Sequence, residues 1–133
     1  MKKIILLLVF VLAFGYESIP ATVANIKKLQ KKHISIVDIR TPDEWMMTGV
    51  IPGAVKDTFF DSYGRIDSDF YKKLKQKGVG KTFAIICRTG HRSRLAAQIL
   101  EKKGYKIIEL QGGMFELMHD MLHIVFRKND VCK

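Results

Sequence analysis

The chain has 133 residues, 47% of them hydrophobic, which is enough for one domain with a single core and too little for two. Lysine and arginine number 23 against 13 acidic residues, a formal charge of +10. No basic stripe interleaved with aromatics accompanies that charge, so nucleic-acid binding is not supported.

Met1-Lys2-Lys3 leads into the unbroken apolar run Ile4 to Phe14. That run falls short of the about 20 residues a bilayer span needs, but its basic start and length fit a secretory signal. The small residues Ala13 and Gly15 place cleavage after Gly15. The sequence thus predicts a signal peptide over 1–15 and an exported, periplasmic domain over 16–133, with no stable membrane insertion after cleavage. No cysteine follows the cleavage point, so no lipid anchor is expected. An uncleaved anchor or a buried strand are the alternatives for the run. Removing Lys2 and Lys3 with the signal leaves 21 basic side chains against 13 acidic, a charge of +8. The pairs Lys27-Lys28, Lys31-Lys32, Lys72-Lys73 and Lys102-Lys103 read as solvated helix faces. Their charge can steer small anions, an effect that salt weakens.

Thr22 to Lys32 reads as a helix, with Val23, Ile26 and Leu29 at helical spacing. Ile34 to Asp38 is β-branched and reads as a buried strand. Thr41-Pro42-Asp43-Glu44 has the pattern of a capping box with proline at the first helical position. Trp45, Met46 and Met47 then read as packing on the core. Gly49 ends that helix, and Ile51-Pro52-Gly53-Ala54 turns the chain into a brief strand at Ala54 to Lys56. Phe59, Phe60 and Tyr63 form either a wall of a site mouth or a packed loop. Asp67 to Lys77 reads as helix, and Thr82 to Ile86 as a strand buried on both faces of a parallel sheet. Ser93 to Lys103 is helical up to Gly104, Ile107 to Leu110 is a last strand, and Gly112-Gly113 is a tight turn. Phe115, Leu117, Met118, Met121, Leu122 and Val125 repeat at helical spacing and read as core on a final helix from Phe115 to Phe126. Short apolar strands alternating with helices predict an α/β domain, a small mainly parallel sheet flanked by helices.

In such sheets ligands bind beyond the carboxyl ends of the strands, and Cys87 stands at one of those ends. It opens the segment Cys87-Arg88-Thr89-Gly90-His91-Arg92-Ser93. A strand that ends on cysteine and turns into a helix sets the sulfur among backbone N–H groups and at a positive helix end. Helix N-termini and neighbouring cations favour thiolate, the nucleophilic form. Gly90 can adopt positive φ cheaply, so successive N–H groups can converge on an anion. Arg92 can place a charged fork over a bound oxyanion. Ser93 is placed to cap the helix and hydrogen-bond the sulfur. Arg88 and His91 face the mouth, where His91 is the pH-sensitive member. Cys87 therefore reads as chemical rather than structural, while Cys132 is either an inert tail residue or a redox partner for Cys87. Asp38 and Arg40 read as a salt-bridged structural support for the loops.

Four stretches together resemble the single-domain rhodaneses, a sulfurtransferase family: Val37-Asp38-Ile39-Arg40 with Glu44-Trp45, then Gly49 to Ala54, Cys87 to Ser93, and Leu110-Gln111-Gly112-Gly113-Met114. The resemblance covers nearly all of the chain after the signal. It implies that Cys87 carries sulfane sulfur as a persulfide, taken from a small anionic donor such as thiosulfate and passed to cyanide or a thiol. By the same resemblance Arg88, Thr89, Gly90, His91, Arg92 and Ser93 bind the persulfide and the donor. No metal or organic cofactor is needed. His33, His119 and His123 have no ligand spacing with Cys87 and read as surface or helix residues. Val50 stands where the family often has histidine, and Phe115-Glu116-Leu117 where it often continues to tryptophan, so substrate choice is less fixed than the reaction.

Three rivals remain. Cysteine phosphatases and arsenate reductases place five residues between cysteine and arginine, whereas four lie between Cys87 and Arg92, a ring sized for one sulfur rather than a tetrahedral phosphate. A non-catalytic binding module would have no use for this cysteine and its arginines. A redox protein would pair Cys87 with Cys132.

Overall fold

The computed structural model describes residues 15–130; the run read as a signal and Cys132 lie outside them. Five strands and five helices follow in order: β1 (Glu17–Pro20), α1 (Val23–Lys31), β2 (Ile36–Asp38), α2 (Pro42–Thr48), β3 (Val55–Lys56), α3 (Phe70–Gln76), β4 (Thr82–Ile86), α4 (His91–Lys102), β5 (Lys106–Gln111) and α5 (Gly113–Asp130). The strands form one sheet in the order β1-β5-β4-β2-β3, and every neighbouring pair is parallel. All the carboxyl ends therefore lie on one edge, which gathers the segments after β2, β4 and β5.

Side chains on a strand alternate between faces, and β4 shows why its sequence carries no polar break. Phe83 and Ile85 point into a core with Val37, Phe59, Phe70 and Leu100. Ala84 and Ile86 point into a second core with Ile26, Leu29, Leu110 and Leu117. Both faces are dry, so every position must be apolar. Phe83 has no exposed surface, and truncating such a residue to alanine costs about 3–5 kcal/mol.

Several sequence readings shift. The edge strand β1 lies ahead of the first element read from the sequence, because three of its four residues are exposed and its order comes from pairing with β5 and from Ile19 packing on the second core. Helix α3 starts at Phe70 rather than Asp67, whose carboxylate instead accepts from the Asp69 N–H at 2.8 Å. Helix α4 starts at His91, two residues before Ser93, with Gly90 as its N-cap. Ser93 is therefore not the cap. At α2, Thr41 is the N-cap residue but makes no side-chain cap bond; its hydroxyl donates instead to the Glu44 carboxylate at 3.4 Å. Met46 and Met47 are not core: they are 86% and 82% exposed. On α5, of the six residues read as core, Leu117 alone is buried, beside Met114; Phe115, Met118, Met121, Leu122 and Val125 are exposed. The helix touches the domain through its first turns and leaves the rest to solvent. Phe59 is buried in the core while Tyr63 is exposed, so that segment is a packed loop at its start only.

Candidate functional site

Cys87 directly follows β4 and is 1% exposed. Its Sγ accepts hydrogen bonds from the Gly90 N–H at 3.1 Å and the Ser93 N–H at 3.4 Å. Gly90 has φ +92°, a left-handed conformation that side chains rarely adopt and that bends the chain back over the sulfur. A Cβ there would also lie 2.9 Å from the Gly112 nitrogen. The sulfur thus sits inside a short turn at the N-terminus of α4, where amides and the helix dipole favour negative charge.

Ser93 is buried in the first turn of α4. Its hydroxyl contacts Sγ at 3.4 Å, the Gly90 carbonyl at 3.2 Å and the Glu109 carboxylate at 2.9 Å. Glu109, buried on β5, is held by Ser18 of β1 at 2.6 Å. A second brace comes from α5, whose Met114 N–H donates to the Cys87 carbonyl at 2.9 Å and whose Phe115 N–H donates to the Arg88 carbonyl at 3.0 Å. Gly113 makes that approach possible: a Cβ there would stand 2.5 Å from the Cys87 carbonyl oxygen and 2.6 Å from the Arg88 carbonyl group.

The Arg92 guanidinium does not hang free over the loop. Its Nη1 and Nη2 donate to the two oxygens of Glu44 at 2.8 and 2.7 Å, a bidentate, charge-assisted pair. Hydrogen bonding from Arg92 holds the Glu44 carboxyl below the ordinary carboxylate range, against partial burial, and Glu44 in turn pushes Arg92 further up. One turn of chain away, Arg40 is 1% exposed and forks onto Asp38 at 2.7–3.2 Å. Its remaining donors reach the Thr48 hydroxyl and the Gly49 carbonyl, both at 2.6 Å. This buried pair ties the end of β2 to the C-terminal end of α2, and α2 carries Glu44.

Arg88, Thr89 and His91 are exposed. Arg88 borders a cleft of about 290 Å³ whose walls include Glu44, Met47, Met114, Phe115 and Met118. Thr89, Gly90 and His91 border a second cleft with Arg94 and Glu109. The structure gathers Cys87, Gly90, Arg92 and Ser93 around the sulfur-bearing turn and leaves Asp38 and Arg40 in the support beneath it. Among the described residues no group of three or more histidine, cysteine or acidic side chains is poised for a metal, and no helix is long and apolar enough to cross a membrane. Sequence reasoning missed Glu44 as the partner of Arg92 and Glu109 as the partner of Ser93. The signal for Glu109 was a lone acid inside the apolar strand Ile107 to Leu110, which a buried hydrogen-bond partner explains.

Comparison with known proteins agrees with this architecture. YtwF of Bacillus subtilis (strain 168), for which a sulfurtransferase role has been suggested, is 29% identical over 83 residues, covering 62% of this chain and 72% of YtwF. The crystal structure of a rhodanese-like domain protein from Staphylococcus aureus is 27% identical with a TM-score of 0.58, over 75% of this chain and 89% of that one. RPA3614 of Rhodopseudomonas palustris CGA009, for which a tyrosine phosphatase role has been suggested, is 28% identical with a TM-score of 0.53, over 74% and 76% of the two chains. Residues 22–120, from the cap of α1 into α5, match the family described as Rhodanese-like domain. With the parallel sheet and the cysteine turn in place, the chain belongs to the rhodanese-like domain family.

Proposed function

We propose that the protein is a sulfurtransferase that carries sulfane sulfur on Cys87. The observation that carries this reading is the pair of backbone N–H groups, from Gly90 and Ser93, directed at Sγ in a turn that places only four residues between Cys87 and Arg92. The Cys87 thiolate attacks the outer sulfur of thiosulfate. The new bond joins Sγ to that sulfur, the S–S bond of thiosulfate breaks, and sulfite leaves with its electron pair. The outer sulfur of the persulfide is then anionic, and the positive N-terminal end of α4, fixed before the reaction, stabilises it without reorganising. Cyanide or a thiolate attacks the outer sulfur, and the Sγ–S bond returns its electrons to Cys87, giving ping-pong kinetics. Arg88 and His91 at the exposed rim receive the anionic donor.

The phosphatase reading draws on the suggestion made for RPA3614. Against it stands the turn itself, one residue shorter than the five a phosphate cradle uses. The test is direct. The protein incubated with thiosulfate and cyanide should form thiocyanate, and its mass should rise by one sulfur atom in a form that dithiothreitol removes. Cys87→Ser should abolish both. Hydrolysis of para-nitrophenyl phosphate without any thiocyanate would overturn the reading in favour of the phosphatase.

A further inference from the structure

Histidines 119 and 123 lie one turn apart on the solvent side of α5, away from the cysteine turn. Positions i and i+4 of a helix face each other, and here the two Nε2 atoms converge to 3.2 Å with the rings inclined at 75° and their centroids 4.4 Å apart. Both side chains are exposed. An ion bound at the about 2.0–2.1 Å typical of imidazole nitrogen would subtend an N–metal–N angle of about 100° across that gap, between the tetrahedral and the square-planar values. The nitrogens share a hydrogen bond in the free protein, at the separation of two adjacent ligands of one ion, and binding the ion shifts the donor ring's proton from Nε2 to Nδ1.

From this geometry we infer that His119 and His123 form a bidentate site for a divalent late transition-metal ion, with Cu²⁺ held more tightly than Zn²⁺ or Ni²⁺. The donor set is two neutral imidazoles, and the order follows the intrinsic preference of nitrogen ligands for these ions. The nearby Asp120 carboxylate accepts the Val23 N–H at 2.8 Å, and no third ligating side chain joins the pair among the described residues. Water completes the coordination, so the ion exchanges readily. The site has structural reach, because α5 supplies the two amides that hold the Cys87 and Arg88 carbonyls. From Met121 to Lys128 the side chains of that helix are all exposed. An ion bridging residues 119 and 123 locks one turn of the helix between this outer part and the part that braces the cysteine turn.

The test uses the full chain with Cys87→Ser and Cys132→Ser, which removes competing thiols, titrated with CuCl₂, ZnCl₂ and NiCl₂ at neutral pH. One Cu²⁺ per chain should bind, with an electron paramagnetic resonance spectrum showing two nitrogen ligands. Amide hydrogens around residues 119–123 should exchange more slowly in its presence. Replacing either histidine by glutamine should weaken binding about tenfold or more, the effect of losing about 1.4 kcal/mol. These exposed positions leave the fold intact, which circular dichroism verifies. Equal Cu²⁺ affinity in the His119→Gln/His123→Gln chain, or a spectrum with fewer than two nitrogens, would overturn the inference. Neither result bears on the sulfurtransferase reading.

Discussion

Arg92 and Glu44 are 48 positions apart in sequence and meet through two parallel hydrogen bonds of 2.8 and 2.7 Å. One stands in the first turn of α4 beside the cysteine turn, the other on α2. The pair aligns the guanidinium at the edge of the site, and a donor anion meets an arginine already held in place. Arg92→Ala should raise the thiosulfate KM by about tenfold, and Glu44→Gln by a smaller factor, since a charge-assisted hydrogen bond contributes about 1.5–3 kcal/mol. The pair is only partly buried, so Glu44→Gln should destabilise the fold by no more than about 1 kcal/mol. Its carboxyl is depressed in the folded state, so this contribution is present above the ordinary carboxylate range and fades as pH falls through the lowered value. Steady-state kinetics and urea titrations at pH 7 and pH 3 read both effects.

Gly113 and Cys87 offer a sharper test of how the turn is braced. A Cβ on Gly113 would enter the Cys87 carbonyl at 2.5 Å, and the residue has φ +62°. Both faults act in the same direction, so Gly113→Ala should cost about 2–4 kcal/mol from strain and overpacking combined. Alkylation of Cys87 by iodoacetamide should also speed up as α5 lifts from the turn. A variant as stable and as slowly alkylated as the natural protein would show that α5 does not hold the turn.

What the residues disclosed in advance depends on how local the physics was. The strand β4 and the cysteine turn were legible because a continuous apolar run followed by Cys87, Gly90 and Arg92 sets burial, bend and charge within seven positions. Glu44 has the spacing of half a capping box, yet its carboxylate is held chiefly by Arg92 on another helix, and no local pattern encodes that competition. The outer face of α5 misled for the converse reason. Its Met121, Leu122 and Val125 have the spacing of a core stripe, but the domain ends before it reaches them, and 3.6-residue periodicity does not tell which stripe finds a partner. Strand β1 left almost no trace, because an edge strand with exposed side chains is specified by the neighbour it pairs with.

Arg40 and Asp38 form a pair with almost no solvent contact. Removing one member leaves the other charged, buried and unmatched, so Arg40→Met should cost about 3–5 kcal/mol, whereas Asp38→Asn/Arg40→Met should recover much of that loss. A double-mutant cycle by urea denaturation measures the coupling. Additive losses would mean that Arg40 acts through Thr48 and Gly49 alone, and thiosulfate KM should then follow Arg40 rather than Asp38.

Asp57, just after β3, is 1% exposed, and neither of its carboxylate oxygens has a hydrogen-bond partner among the described residues. Burial pushes its carboxyl up to about 6 from the ordinary 3.8; Lys77 and Lys73 oppose the rise and Asp67 adds to it. An acid whose folded value is raised binds protons more tightly folded than unfolded, so it destabilises the ionised protein. The penalty is full above pH 6, shrinks between pH 6 and pH 4, and disappears below the unfolded value. At about 1.4 kcal/mol per unit it amounts to roughly 2–3 kcal/mol at most. Asp57→Asn should therefore raise the denaturation midpoint at pH 8 and leave it nearly unchanged at pH 3.5. Equal gains at both values would mean that the benefit comes from packing rather than from charge. A loss at pH 8 would mean that Asp57 is needed there as an anion facing Lys77 and Lys73.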